Sequence, residues 1–98
     1  MAQLIVVYWR DIPAQVIVKR GRATAKRQLA ERFEQAIDRA AMRANLRDTD
    51  SYLAEWRRAE PVDCGDDLEA EAAGAAERLE SAFDDARLKQ LVDNGGNA

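Results

Sequence analysis

Leu4-Ile5-Val6-Val7-Tyr8-Trp9-Arg10-Asp11-Ile12-Pro13-Ala14-Gln15-Val16-Ile17-Val18-Lys19 is the stretch that decides how this chain folds. Leu4 to Trp9 are β-branched, aliphatic or aromatic, the composition that suits a pleated surface. With no polar position among them, both faces of that strand are expected to be covered, which makes it a central strand. Arg10-Asp11-Ile12-Pro13 interrupts the run, because Pro13 lacks an amide proton and suits a turn or the start of a strand. Gln15 to Lys19 then reads as a second strand, and so short a link between the two predicts an antiparallel hairpin. Gly21, free to take positive φ, predicts the next turn.

Downstream, the period changes. Leu29, Phe33, Ala36, Ile37, Ala40 and Ala44 recur at spacings of three and four, which predicts an amphipathic helix over 24–46 with Thr24 as its N-cap. A short helix carrying Tyr52, Leu53 and Trp56 is expected next, followed by a third strand over 57–62 that ends near Pro61. Asp66 and Glu69 have the spacing of a capping box and open a second long helix to about residue 92. Leu68, Ala72, Ala75, Ala76, Leu79, Phe83 and Ala86 form its apolar stripe. The order β-β-α-(α)-β-α predicts an α+β two-layer sandwich: a small, mainly antiparallel sheet covered by two long helices. Residues 1–93 are read as one domain and 94–98, Asn-Gly-Gly-Asn-Ala, as a frayed tail.

Composition narrows the function. At 98 residues, 47% hydrophobic and 34% charged, the chain is globular rather than disordered, with room for one modest core. No stretch of ~18 apolar residues exists to cross a membrane. The N-terminus has neither a basic leader nor a small-residue cleavage site, and Cys64 is the single cysteine, so a reducing, bacterial-type cytoplasm is the expected location. The chain has no histidine. Ser–His and Cys–His nucleophile pairs are therefore excluded, as are zinc and iron–sulfur sites within one chain. Asp63, Asp66 and Asp67 around Gly65 read as capping and solvated charge rather than as a metal site. No metal, no cofactor and no enzymatic activity are expected; Asp11, Asp38 and Glu60 are the carboxylates an acid–base reading would have to use.

Charge is distributed unevenly. Residues 1–47 carry ten Lys/Arg against four Asp/Glu (+6), and residues 48–98 five against fourteen (−9). Lys19, Arg20, Arg22, Lys26 and Arg27 crowd a predicted turn leading into a helix N-terminus, where free amides and the helix dipole attract anions. A phosphate-bearing ligand, RNA or an acidic protein surface is the ligand class this implies. The sequence pI of about 5.0 argues against a dedicated nucleic-acid binder. Tyr8, Trp9, Arg10, Asp11 and Trp56 are the candidate interface residues, since Trp and Tyr with Arg are what binding hot spots use. A thin sheet leaves edges exposed, which adds a further route to a partner chain. The leading expectation is a protein-interaction or accessory module with an unidentified protein partner. The charge asymmetry also allows self-association.

Tyr8-Trp9-Arg10-Asp11-Ile12-Pro13-Ala14-Gln15-Val16, with Ala36-Ile37-Asp38-Arg39-Ala40-Ala41-Met42 and Tyr52-Leu53-Ala54-Glu55-Trp56, resembles the small domain family labelled "virulence factor". The likeness covers about residues 3–92. Such domains occur as stand-alone alphaproteobacterial proteins, and a similar one ends the conserved virulence factor C proteins of Gram-positive bacteria. The resemblance brings no catalytic residues with it. It implies, as one alternative, an accessory role in folate- and corrinoid-dependent methionine synthesis.

Overall fold

The structure, a computed structural model, describes residues 2–46 and 48–98. Five strands and four helices follow one another as β1 (Ala2–Trp9), β2 (Ile12–Arg20), β3 (Ala23–Gln28), α1 (Glu31–Arg43), α2 (Thr49–Leu53), β4 (Trp56–Arg58), β5 (Val62–Cys64), α3 (Leu68–Ala82) and α4 (Asp85–Asp93). The fold is α+β with an antiparallel sheet, as the alternation of strand-period and helix-period segments predicts.

β1 is the central strand. It pairs with β2 from Gln3↔Lys19 to Trp9↔Ile12, with a shift of register between Val7 and Tyr8 that turns Trp9 to the face opposite Ile5 and Val7. Its other side is shared: β4 pairs with Val7 to Trp9 and β5 with Ala2 to Leu4. The single strand expected over 57–62 is therefore two short strands, with Pro61 between them where a missing amide proton breaks the ladder. β3 lies outermost, so the order runs β3-β2-β1-β4.

The helix expected over 24–46 begins only at Glu31. Residues 23–28 instead turn back on β2 through Gly21, whose φ of 59 gives the reversal. Thr24, expected as a helix cap, pairs with Lys19 in this ladder, and Ala25 pairs with Val18 and is buried. Ala, Lys, Arg and Gln are good helix formers, but the hydrogen bonds and burial offered by β2 outweigh propensity differences of a few tenths of a kcal/mol per residue.

The second long helix is also two. Phe83 leaves helical geometry (φ −109, ψ 75), and Asp84 caps α4 by accepting the Arg87 amide proton at 2.9 Å. Arg32 takes the freed carbonyls at the end of α3, donating to Phe83 O and, at 2.6 Å, to Glu80 O. Phe83 packs edge-on to Phe33 at 6.3 Å between ring centroids. α4 then runs beside α1, with Arg32–Asp85 and Arg43–Asp93 ion pairs at the two ends. At the start of α3 the cap is Asp67, accepting from the Ala70 amide at 3.2 Å, rather than Asp66.

One core joins Val16 and Val18 of β2, Ala25 of β3 and Trp9 and Ile12 with the apolar stripes of α1, α3 and α4. The stripe of α3 is Ala72, Ala75 and Ala76, small side chains that let the helix backbone approach the sheet. Ala86, expected on that stripe, is exposed because the chain has already turned into α4. Ile5, Val7 and Ile17 alternate with this core and form a smaller cluster on the opposite face, which no helical residue enters. In residues 94–98, read from the sequence as a frayed tail, Gly95 and Gly96 are buried and the tail folds back onto the β1–β2 turn.

Candidate functional site

Arg10 and Asp11, the two-residue connection of the first hairpin, gather the polar groups at one end of the molecule. Arg10 takes φ 53, the left-handed region that glycine usually supplies in such turns. From there Nη1 donates to the Gly95 carbonyl at 2.9 Å and Nη2 to Glu55 Oε1 at 3.2 Å. The guanidinium also lies 5.3 Å from the centre of the Trp9 ring. The Asp11 amide donates to the Gly96 carbonyl at 2.8 Å. The Asp11 carboxylate accepts from Arg57 Nη2 at 3.1 Å and from the Ala98 amide at 2.7 Å. Arg10 and Asp11 thus form a clasp that holds the C-terminal tail.

The candidate interface divides accordingly. Trp9 is fully buried, its indole N–H donating to the Tyr52 carbonyl at 3.0 Å and its ring stacked on Tyr52 at 5.7 Å. Trp9 is a core residue and presents no surface, a correction imposed by the helices and tail that close over the end of β1. Tyr8 is half-buried beneath the Arg57 guanidinium, 4.6 Å from its ring centre. Trp56, also half-buried, meets Tyr52 edge-on at 6.1 Å.

The basic residues lie on the β2–β3 hairpin. Lys19, Arg20, Arg22, Lys26 and Arg27 are all exposed, and no helix starts there, so the helix-dipole reason for anion binding falls away. Arg20 reaches Asp66 at 3.9 Å. Among the described residues the other four make no salt bridge. The ladder places Lys26 opposite Ile17 and Arg27 opposite Val16, so their side chains leave from opposite faces of the strand. No hydrogen bond among the described residues engages the outer edge of β3.

A third feature was not visible in the sequence. A pocket of about 180 Å³ opens between the end of β3, α1 and the α2–β4 segment. Leu29, Ile37, Tyr52 and Trp56 give it apolar and aromatic walls, with Gln28, Glu34 and Asp38 at the rim. Burial first, then the Asp38 carboxylate, with Glu34 behind it, pushes the Tyr52 phenol above its ordinary value of 10.0; a hydrogen bond with the Trp56 indole works the other way. Of the carboxylates considered for acid–base work, only Asp38 lines this pocket. Asp11 belongs to the clasp, and Glu60 is exposed between β4 and β5. The one signal in the sequence that could have pointed here is Glu34 and Asp38 four residues apart, a like-charge pair that disfavours an isolated helix.

Cys64 ends β5, half-buried. Burial raises its thiol above the ordinary 9.0, with Glu71, Asp63 and Asp66 adding to the shift. The thiol form dominates near neutral pH, so this cysteine is a poor nucleophile. Glu71 also accepts the Gly65 amide proton at 2.7 Å, which holds the loop into α3. Among the described residues no group of three or more carboxylates and thiols is placed to hold a metal ion.

The model of the virulence factor family matches residues 7–92. The chain belongs to the virulence factor family. The matched residues include the Arg10–Asp11 turn, the basic hairpin and the residues lining the aromatic pocket, while the tail that the turn holds lies beyond them. No curated protein and no solved structure matches the chain. No helix among the described residues is long and apolar enough to cross a membrane.

Proposed function

We propose that this virulence factor domain is a protein-interaction module that takes an extended, acidic segment of a partner protein along the outer edge of β3. The free edge carries the reading: a six-residue strand whose outward amides and carbonyls have no hydrogen-bond partner among the described residues, bordered by the exposed cations Arg22, Lys26 and Arg27, which make no salt bridge among those residues. A partner strand adds its own ladder there, and carboxylates on both of its faces meet Lys26 on one side and Arg27 on the other. Self-pairing of two β3 edges is the less favoured outcome, because an antiparallel pair would set the 22–27 cations against their copies, and like charges directly opposite destabilise a sheet. RNA is disfavoured by the net charge of −3. The accessory role in folate- and corrinoid-dependent methionine synthesis rests on family likeness alone. The domain acts, in this reading, by binding rather than by turning over a substrate in the cytoplasm.

The test is a labelled extended peptide of repeating Glu-Glu-Val-Val, which sets carboxylates on both of its faces, titrated by fluorescence anisotropy against an oligouridylate of similar charge. The peptide is expected to bind saturably, to weaken as salt rises, and to lose about tenfold in affinity when Lys26 and Arg27 are both changed to Glu. Lys26→Pro and Arg27→Pro separate docking from folding. Of two adjacent strand residues one amide points at β2 and the other outward, so only one of the two variants should keep its fold while losing the peptide. Binding that survives the charge reversal, or that prefers the oligouridylate, removes the proposal.

A further inference from the structure

The pocket beneath Tyr52 and Trp56 has a chemistry of its own, independent of the β3 edge. Tyr52 and Trp56 meet edge-on, with ring centroids 6.1 Å apart at 81°, so a group in the pocket lies against these rings rather than between them. Glu34 and Asp38 lie one helical turn apart on α1 and line the same opening. Neither makes a salt bridge or hydrogen bond with a described residue. Gln28, at the end of β3, brings a side-chain amide, whose oxygen can accept a hydrogen bond, to the lining. Negative charge, aromatic faces and an aliphatic floor at Ile37 are together the requirements of an organic cation. A space of about 180 Å³ is too small for a drug-sized ligand and suits the head of one side chain or a short alkyl cation.

From this we infer that the pocket binds a guanidinium group. Its planar fork has donors for two carboxylates and an amide oxygen at once, and it stacks on an aromatic ring without losing them. An ammonium is a more strongly hydrated point charge that cannot match both walls together. After burial itself, the Asp38 and Glu34 carboxylates add to the rise of the Tyr52 phenol, and that part of the shift is the field a cation in the pocket would meet.

Two probes distinguish a free small molecule from a protein side chain: ethylguanidinium, and the blocked tripeptide Gly-Arg-Gly. Each is titrated by chemical shift of the Trp56 indole N–H, with ethylammonium and Gly-Lys-Gly as the matched amines. Saturable binding of either guanidinium probe, about tenfold tighter than its amine, is the expected result. Tighter binding of the tripeptide assigns the site to an arginine of a partner protein, and tighter binding of ethylguanidinium assigns it to a free cation. Glu34→Gln and Asp38→Asn, exposed and isosteric, are expected to keep the fold and weaken binding about tenfold each. An indole shift that does not saturate, equal affinity for guanidinium and ammonium, or affinity unchanged in both variants overturns the inference. The charge reversal at Lys26 and Arg27 changes side chains that do not line this pocket, so failure at the β3 edge and failure here are read separately.

Discussion

Arg10 carries two opposed effects in one residue. Its φ of 53 costs an L-residue about 1 kcal/mol against glycine. Against that, its guanidinium ties the first hairpin to Gly95 and Glu55, with the side chain only 17% exposed and therefore weakly screened. Hydrogen bonds to a charged group contribute about 1.5–3 kcal/mol each in such settings. The balance favours keeping Arg. Arg10→Ala, which loses the contacts and retains the backbone cost, should lower stability in urea unfolding by about 2 kcal/mol or more. Arg10→Gly loses the same contacts and relieves the turn, so its loss should be smaller by about 1 kcal/mol. Equal losses in the two variants would show that the left-handed turn carries no cost.

Among the elements, β3 and the α3–α4 break show where local pattern stops deciding. The β1–β2 hairpin was legible because its apolar residues have no stable solvent-exposed state and its period suits only a sheet. β3 was not, because Ala-Thr-Ala-Lys-Arg-Gln has the composition of a helix and becomes a strand only when β2 supplies the other half of its ladder. The single long helix failed for a related reason. The apolar stripe runs on through Phe83, but Phe83 turns to meet Phe33, and Arg32 takes the carbonyls that the break leaves open. Caps mark the break in chemical terms. Asp84→Ala removes the acceptor for the Arg87 amide, and helix caps contribute about 1 kcal/mol. A loss of that size in thermal unfolding, with restoration in Asp84→Ser, is expected; an unchanged midpoint would mean that packing alone holds the break.

Across the whole molecule, the C-terminal tail closes the end of the sheet over Trp9. A Cβ added at Gly96 would lie 2.7 Å from Trp9 Cζ3, at a φ of 96 that L-residues rarely adopt. Gly96→Ala should therefore destabilise by about 2 kcal/mol, from overpacking and backbone strain together. It should also speed hydrogen exchange at the Asp11 amide, which donates to Gly96 O. An Asp11 amide that already exchanges at the open-chain rate in the unmodified protein would show the tail undocked. The aromatic pocket is a product of the same long-range assembly. Gln28, Glu34, Asp38, Tyr52 and Trp56 come from four segments, and nothing in their local spacing beyond the Glu34–Asp38 pair announces that they converge.

Taken alone, the order of residues determined the central hairpin, the buried faces of the helices and the exclusion of imidazole chemistry, because each follows from side-chain type and period. The third dimension decided that residues 23–28 pair as a strand, that the Gly-Gly tail is buried and that carboxylates and aromatic rings share one pocket. Those outcomes depend on hydrogen bonds and close approaches between segments distant in the chain, and local propensities of a few tenths of a kcal/mol cannot resist them.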